Sequence, residues 1–164
     1  MDHWNILGYP SEARTVYLEI MKNKLVRAEI VSKYTLIDEY LTVIICHFYF
    51  KRPDRNRTFR QLWATKHFRI FNHYIMDDTY LLNKMKIVRA IGEIPPKTRD
   101  IIERINALRN AIAHSFFPEN RRQYAGHKKV MYQGENVYTR NGIQKFEEDF
   151  KVVNNYLLER AFGA

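Results

Sequence analysis

A chain of 164 residues with 46% hydrophobic and 14% aromatic content can bury one core, which excludes a disordered chain. Its single cysteine, Cys46, excludes an intramolecular disulfide framework and a cysteine-cluster metal site, and fits a reducing cytosol. A formal net charge of +9 favours a polyanionic partner, nucleic acid before acidic protein, with plain solubilising charge as the alternative.

The opening "MDHWNILGYP" has no basic stretch ahead of an apolar run, so no secretory signal is expected. The run "VIICHFYF" is far too short for a membrane span. These features predict a soluble, cytoplasmic protein with no membrane partner and one domain over 1–164. Residues 11–22 read as a helix that starts behind Pro10 and Ser11. A second, strong helix runs from about Leu25 to Phe50, with room to be continuous with the first. Its stripe of Ile30, Tyr34, Ile37, Leu41, Ile44 and Phe48 keeps a helical rhythm. "KRPDRNR" at 51–57 is a polar break around Pro53.

Residues 58–75 and 79–91 read as two helices or one bent helix. "GEIPP" at 92–96 stops that segment, because neither the glycine nor the paired prolines continue a helix. A further helix over 97–115 closes before Pro118. In "KKVMYQGENVYTRNG", Val130, Tyr132, Val137 and Tyr138 flank the turn-like "QGEN" and predict a small β-hairpin. A final helix over about 143–161 carries Ile143, Phe146, Phe150, Val153, Leu157 and Leu158 on one side. The expected fold is all-α: an antiparallel helical bundle with a small β-hairpin before the C-terminal helix.

One stretch stands apart chemically. In "LRNAIAHS", residues 108–115, an apolar helical frame carries Arg109, Asn110 and His114. At about 100° per residue, Ile101, Ile105, Leu108 and Ile112 form the core stripe. Arg109 then sits on its shoulder, and Asn110 and His114 lie on the far side beside Ala107 and Ala111. Small residues beside polar ones let another helix approach closely, as a two-fold dimer requires. Histidine can move the proton of a ribose 2′-hydroxyl near neutral pH. Arginine can grip a phosphate in a fork and stabilise its developing charge. Asn110 can orient the imidazole or touch a phosphate oxygen. Such an internal transesterification needs no metal. The same trio is also ordinary as polar groups at a helix C-terminus.

Residues 81–115, "LLNKMKIVRAIGEIPPKTRDIIERINALRNAIAHS", resemble the HEPN superfamily, particularly its mannitol-repressor-like branch. The family signature is an arginine, usually followed by a polar residue, and then a histidine after four to six positions. Arg109, Asn110 and His114 match it with four intervening residues. "LIDEYLTVIICHFYF" at 36–50 is similar to the branch's acidic helix, with Asp38 and Glu39 at its carboxylate positions. The hairpin and last helix are similar to features of small bacterial members. The resemblance extends over about residues 25–161. It implies a HEPN-like domain acting as a homodimer and as a metal-independent endoribonuclease, of the kind found among toxins and defence nucleases. It also implies a possible antitoxin or regulatory protein partner. The alternative is a non-catalytic HEPN-like module that binds RNA or protein.

By helical angle, Asp38 flanks the core stripe and Glu39 faces further out; either could support Arg109 or His114, or be a solvated surface pair. The basic loop of Lys51, Arg52, Arg55, Arg57 and Arg60, with Phe59 and Trp63 nearby, could track a phosphate backbone and stack a base. Arg121, Arg122, His127, Lys128 and Lys129 form a second basic run after the motif helix and are the better candidates for RNA contact. His67 and His73 lack a helical metal-ligand spacing. No glycine-rich phosphate loop, Ser-His-Asp order or zinc signature is present, so no cofactor or metal is expected.

Overall fold

A computed structural model describes residues 13–51, 61, 63–114 and 130–163 of the chain. Among the described residues the fold is all-α, with five helices and a two-stranded antiparallel hairpin before the last of them. Helix α1 spans Ala13–Cys46 and continues through a π-helical turn, His47–Lys51. The two expected N-terminal helices are therefore one element, as nothing between 22 and 25 breaks the chain. Ile30, Ile37, Leu41, Ile44 and Ile45 form its buried side. The π-turn brings Phe50 against Phe68 and Phe71, with ring centroids 5.4 and 5.2 Å apart.

Helix α2, Lys66–Phe71, starts where the Thr65 hydroxyl accepts the Phe68 N–H at 3.3 Å. It passes directly into a second π-turn, Asn72–Met76. Helix α3, Leu81–Ile91, follows, so the expected pair of helices is two, separated at 77–80. Helix α3 ends at Gly92, whose N–H donates to the Val88 carbonyl at 3.0 Å. Arg160, from the far end of the chain, caps the rest of that terminus. Its guanidinium donates to the carbonyls of Val88, Gly92 and Glu93 at 3.3, 2.9 and 3.0 Å.

Helix α4, Pro96–His114, opens on a proline whose missing N–H costs nothing at the first helical position. Ile101, Ile105, Leu108 and Ile112 are buried, as the periodicity required. The hairpin pairs β1, Met131–Tyr132, with β2, Glu135–Asn136. Its two-residue loop is Gln133-Gly134, both left-handed at φ 47° and 80°. "QGEN" thus supplies the loop and the second strand, and Tyr138 lies beyond the pairing. Helix α5, Arg140–Phe162, starts three residues earlier than expected because the Thr139 hydroxyl accepts the Gly142 N–H.

The directions of the helices follow from their cross-links. Arg27 meets Tyr138, Lys33 meets Glu147 and Tyr40 meets Asn154, so α1 and α5 run in the same sense. Arg104 meets Asp149 while Glu93 meets Tyr156, so α4 runs antiparallel to α5. This arrangement sets the C-terminal end of α4 beside the middle of α1. No helix among the described residues is long and apolar enough to cross a membrane.

Candidate active site

The site forms where α4 crosses α1. Arg109 leaves the edge of the buried stripe, and its guanidinium carbon lies 5.3 Å from the centre of the Tyr34 ring. The guanidinium also donates to the Asn110 side-chain oxygen at 3.3 Å. No carboxylate pairs with Arg109 among the described residues. Arg104, by contrast, is tied to Asp149 at 2.8 Å. Arg109 is half-buried and Asn110 exposed, so the guanidinium rests on the ring and is only partly covered.

Tyr34 is the support. Burial pushes its hydroxyl pKa up, Arg109 pulls it down and Asp38 pushes it up, for a net rise. Tyr34 therefore keeps its proton at neutral pH and presents Arg109 with a neutral ring. Asp38 stands one turn along α1 from Tyr34. Its carboxylate accepts from the Lys84 ammonium of α3 at 2.6 Å. Lys84 is only 3% exposed, so Asp38 is its counter-ion in the core. Asp38 thus acts on the site through its charge near Tyr34 and not by touching Arg109. Glu39, one residue on, is exposed.

Tyr34 is the site residue that the sequence did not mark as such, and Lys84 is the buried partner it did not assign to Asp38. Tyr34 sat in the α1 apolar stripe and looked like simple core. Lys84 had a signal: it lies in register with buried Leu81, Met85 and Val88. A lysine on that face needs a buried acid. Nothing in local spacing says that the acid is Asp38, because the pair is separated by 46 residues.

The backbone of α4 continues to His114, one turn beyond Asn110. Ala107, Ala111 and Ala113 are exposed on the same helix. Past Arg109 the described positions of this face therefore carry small side chains. Leu18, Met21 and Leu25 in the N-terminal part of α1 are exposed too, but at about 100° per residue they face away from Tyr34. Leu25 lies nine residues before Tyr34, about 14 Å along the helix axis.

The other expected RNA contacts lie outside the described residues. These are Arg52, Arg55, Arg57 and Arg60 with Phe59, and Arg121, Arg122, His127, Lys128 and Lys129. His67 and His73 are exposed. Among the described residues no group of three or more His, Cys, Asp or Glu is placed to hold a metal ion. Cys46 is buried, and burial above all pushes its thiol up to about 12, so it is protonated at neutral pH. Compared with known proteins, the chain matches no family model, no curated protein and no solved structure.

Proposed function

We propose that this protein is a metal-independent endoribonuclease of HEPN type, working at the cleft of a homodimer. The observation that carries the reading is Arg109: a guanidinium held on a neutral aromatic ring, half-exposed, with no acid to neutralise it among the described residues. An arginine placed so is prepared for an anion, and a phosphodiester fits its fork. Asn110 fixes its orientation from one side. The exposed alanines of α4 support the approach of a second copy.

In the proposed step His114 takes the proton of a ribose 2′-hydroxyl. The 2′-oxygen forms its bond to phosphorus and the bond to the 5′-oxygen breaks. That leaving oxygen takes up a proton from water, the proton on His114 returns to solvent, and the guanidinium of Arg109 stabilises the charge on the non-bridging oxygens. Asn110 positions the guanidinium, and Asp38 acts at one remove through its charge near Tyr34.

The test is cleavage of mixed RNA in the presence of a chelator. His114→Ala and Arg109→Ala are each expected to lower the rate at least about 100-fold, the scale of a lost acid–base or charge-stabilising group. Melting temperatures should stay close to wild type, because neither position shares the helical phase of Ile101, Ile105, Leu108 and Ile112. Cleavage by either variant at the wild-type rate would overturn the proposal.

A further inference from the structure

A second surface lies near the other end of α1. Trp63, Lys66, Arg69, Ile70, His73, Tyr74 and Asp77 line an open groove of about 420 Å³ along α2 and the π-turn after it. Lys66, then Arg69 and Ile70, then His73 and Tyr74, then Asp77 recur at three- and four-residue steps, so they share one face. Tyr74 is 67% exposed and Trp63 is 45% exposed. Trp63 rests on Phe68 at 5.0 Å and Tyr74 meets the His73 ring edge-on at 4.7 Å. Trp63 is thus supported by a buried ring, and Tyr74 stands largely in solvent beside His73. The groove's carboxylate, Asp77, faces His73 at 3.5 Å, and Lys66 and Arg69 form no ion pair among the described residues.

We infer that this groove binds single-stranded RNA, with bases stacked on Tyr74 and Trp63 and phosphates on Lys66 and Arg69. Two features favour this occupant over an acidic peptide. Flat aromatic rings beside cations match the repeat of base and phosphate, whereas a peptide would need the cations alone. A net charge of +9 draws a polyanion to the whole surface. The π-turn contributes as well: its wider winding presents His73 and Tyr74 side by side at the groove's edge. The distance from the Arg109 site is about 20 Å, taken from the fifteen residues of α1 between Tyr34 and Tyr49 at the helical rise. Tyr49 packs on Phe71 of α2 at 5.6 Å, which ties the groove to that end of α1. The groove would therefore hold a flanking part of the strand being cut, and in this it rests on the ribonuclease reading.

The experiment measures binding of a fluorescent 2′-O-methyl oligoribonucleotide, which lacks the attacking hydroxyl and so reports binding without cleavage. Tyr74→Ala is expected to weaken binding about tenfold, within the range for a lost base–ring stack. The double change Lys66→Glu with Arg69→Glu is expected to flatten the salt dependence, lowering the slope of log K against log salt by about 1.4. A duplex of the same sequence should compete poorly. Wild-type affinity in both variants, or displacement of the oligonucleotide by a polyglutamate peptide in preference to an unlabelled strand, would overturn the groove. The two readings separate cleanly. A protein that binds the probe through Tyr74 but leaves unmodified RNA intact keeps the groove and loses the nuclease. Cleavage that is lost in Arg109→Ala but unchanged in KM and kcat by Tyr74→Ala does the reverse.

Discussion

The side chains around Arg109 divide the work between a charged group left open and a charged group locked away. Arg109 rests on Tyr34 and meets no acid among the described residues, while Lys84, nearly inaccessible, is matched to Asp38 at 2.6 Å. Removing one partner of such a pair is not symmetrical in cost. Asp38→Ala leaves an ammonium in the core without its counter-ion and is expected to cost about 3 kcal/mol in urea denaturation. Lys84→Met fills the same space with an apolar chain and leaves Asp38 with partial access to water, so a loss under about 1 kcal/mol is expected. Equal losses would mean that the pair does not carry the packing between α1 and α3. The trio Arg109, Asn110 and His114 was visible in the sequence because the apolar frame around it was visible. The Tyr34 support and the Lys84 counter-ion were not, because each depends on which helices pack together.

Among the elements, periodicity made the helices readable and said little about how their ends are held. All four expected stripe residues of α4 are buried, and Thr98 and Ile102 join them on that side. The cap that Arg160 places on α3 had no local signature, since it spans 72 residues at Val88. The hairpin is held in the same long-range manner. Asp149 of α5 accepts from Arg104 at 2.8 Å, the Tyr132 hydroxyl at 2.7 Å and the Gln133 amide at 2.6 Å. Burial pushes the Asp149 carboxyl up, but Arg104, Tyr132 and Gln133 outweigh it and hold it below its ordinary value of 3.8. A folded-state pKa below the unfolded one gives stability that is present above the ordinary value and lost as pH falls through the folded value. Asp149→Asn is therefore expected to cost about 1–3 kcal/mol at neutral pH, with the gap to wild type closing below about pH 4. Urea denaturation at both pH values checks this, and a gap that does not change with pH would contradict it. Gly142 shows the closeness of the same junction: a Cβ there would run into the Asn136 carbonyl and the backbone of Val137.

At the scale of the whole molecule, an all-α fold leaves two distinct surfaces on one basic body. One is the C-terminal end of α4 with Arg109, and the other is the aromatic groove beyond the far end of α1. The proposed chemistry needs a partner copy at the first. Ala107→Glu with Ala111→Glu changes only exposed positions and should leave the fold intact. It is expected to convert a dimer to a monomer in light scattering and to lower RNA cleavage with it; a dimer that survives would place the contact elsewhere. The charge that first suggested nucleic acid was legible from composition. The groove was only half legible, as Trp63 was noted beside a basic run, while Lys66, Arg69 and Tyr74 join it only once α2 and its π-turn form one face. The most direct measurement is the chemistry of the RNA ends left by wild-type protein in chelator, beside a His114→Ala control. Fragments ending in 2′,3′-cyclic phosphate and beginning with 5′-hydroxyl, absent from the control, are the expected result. Intact RNA, ends of 3′-hydroxyl and 5′-phosphate, or the same fragments from the control would contradict it.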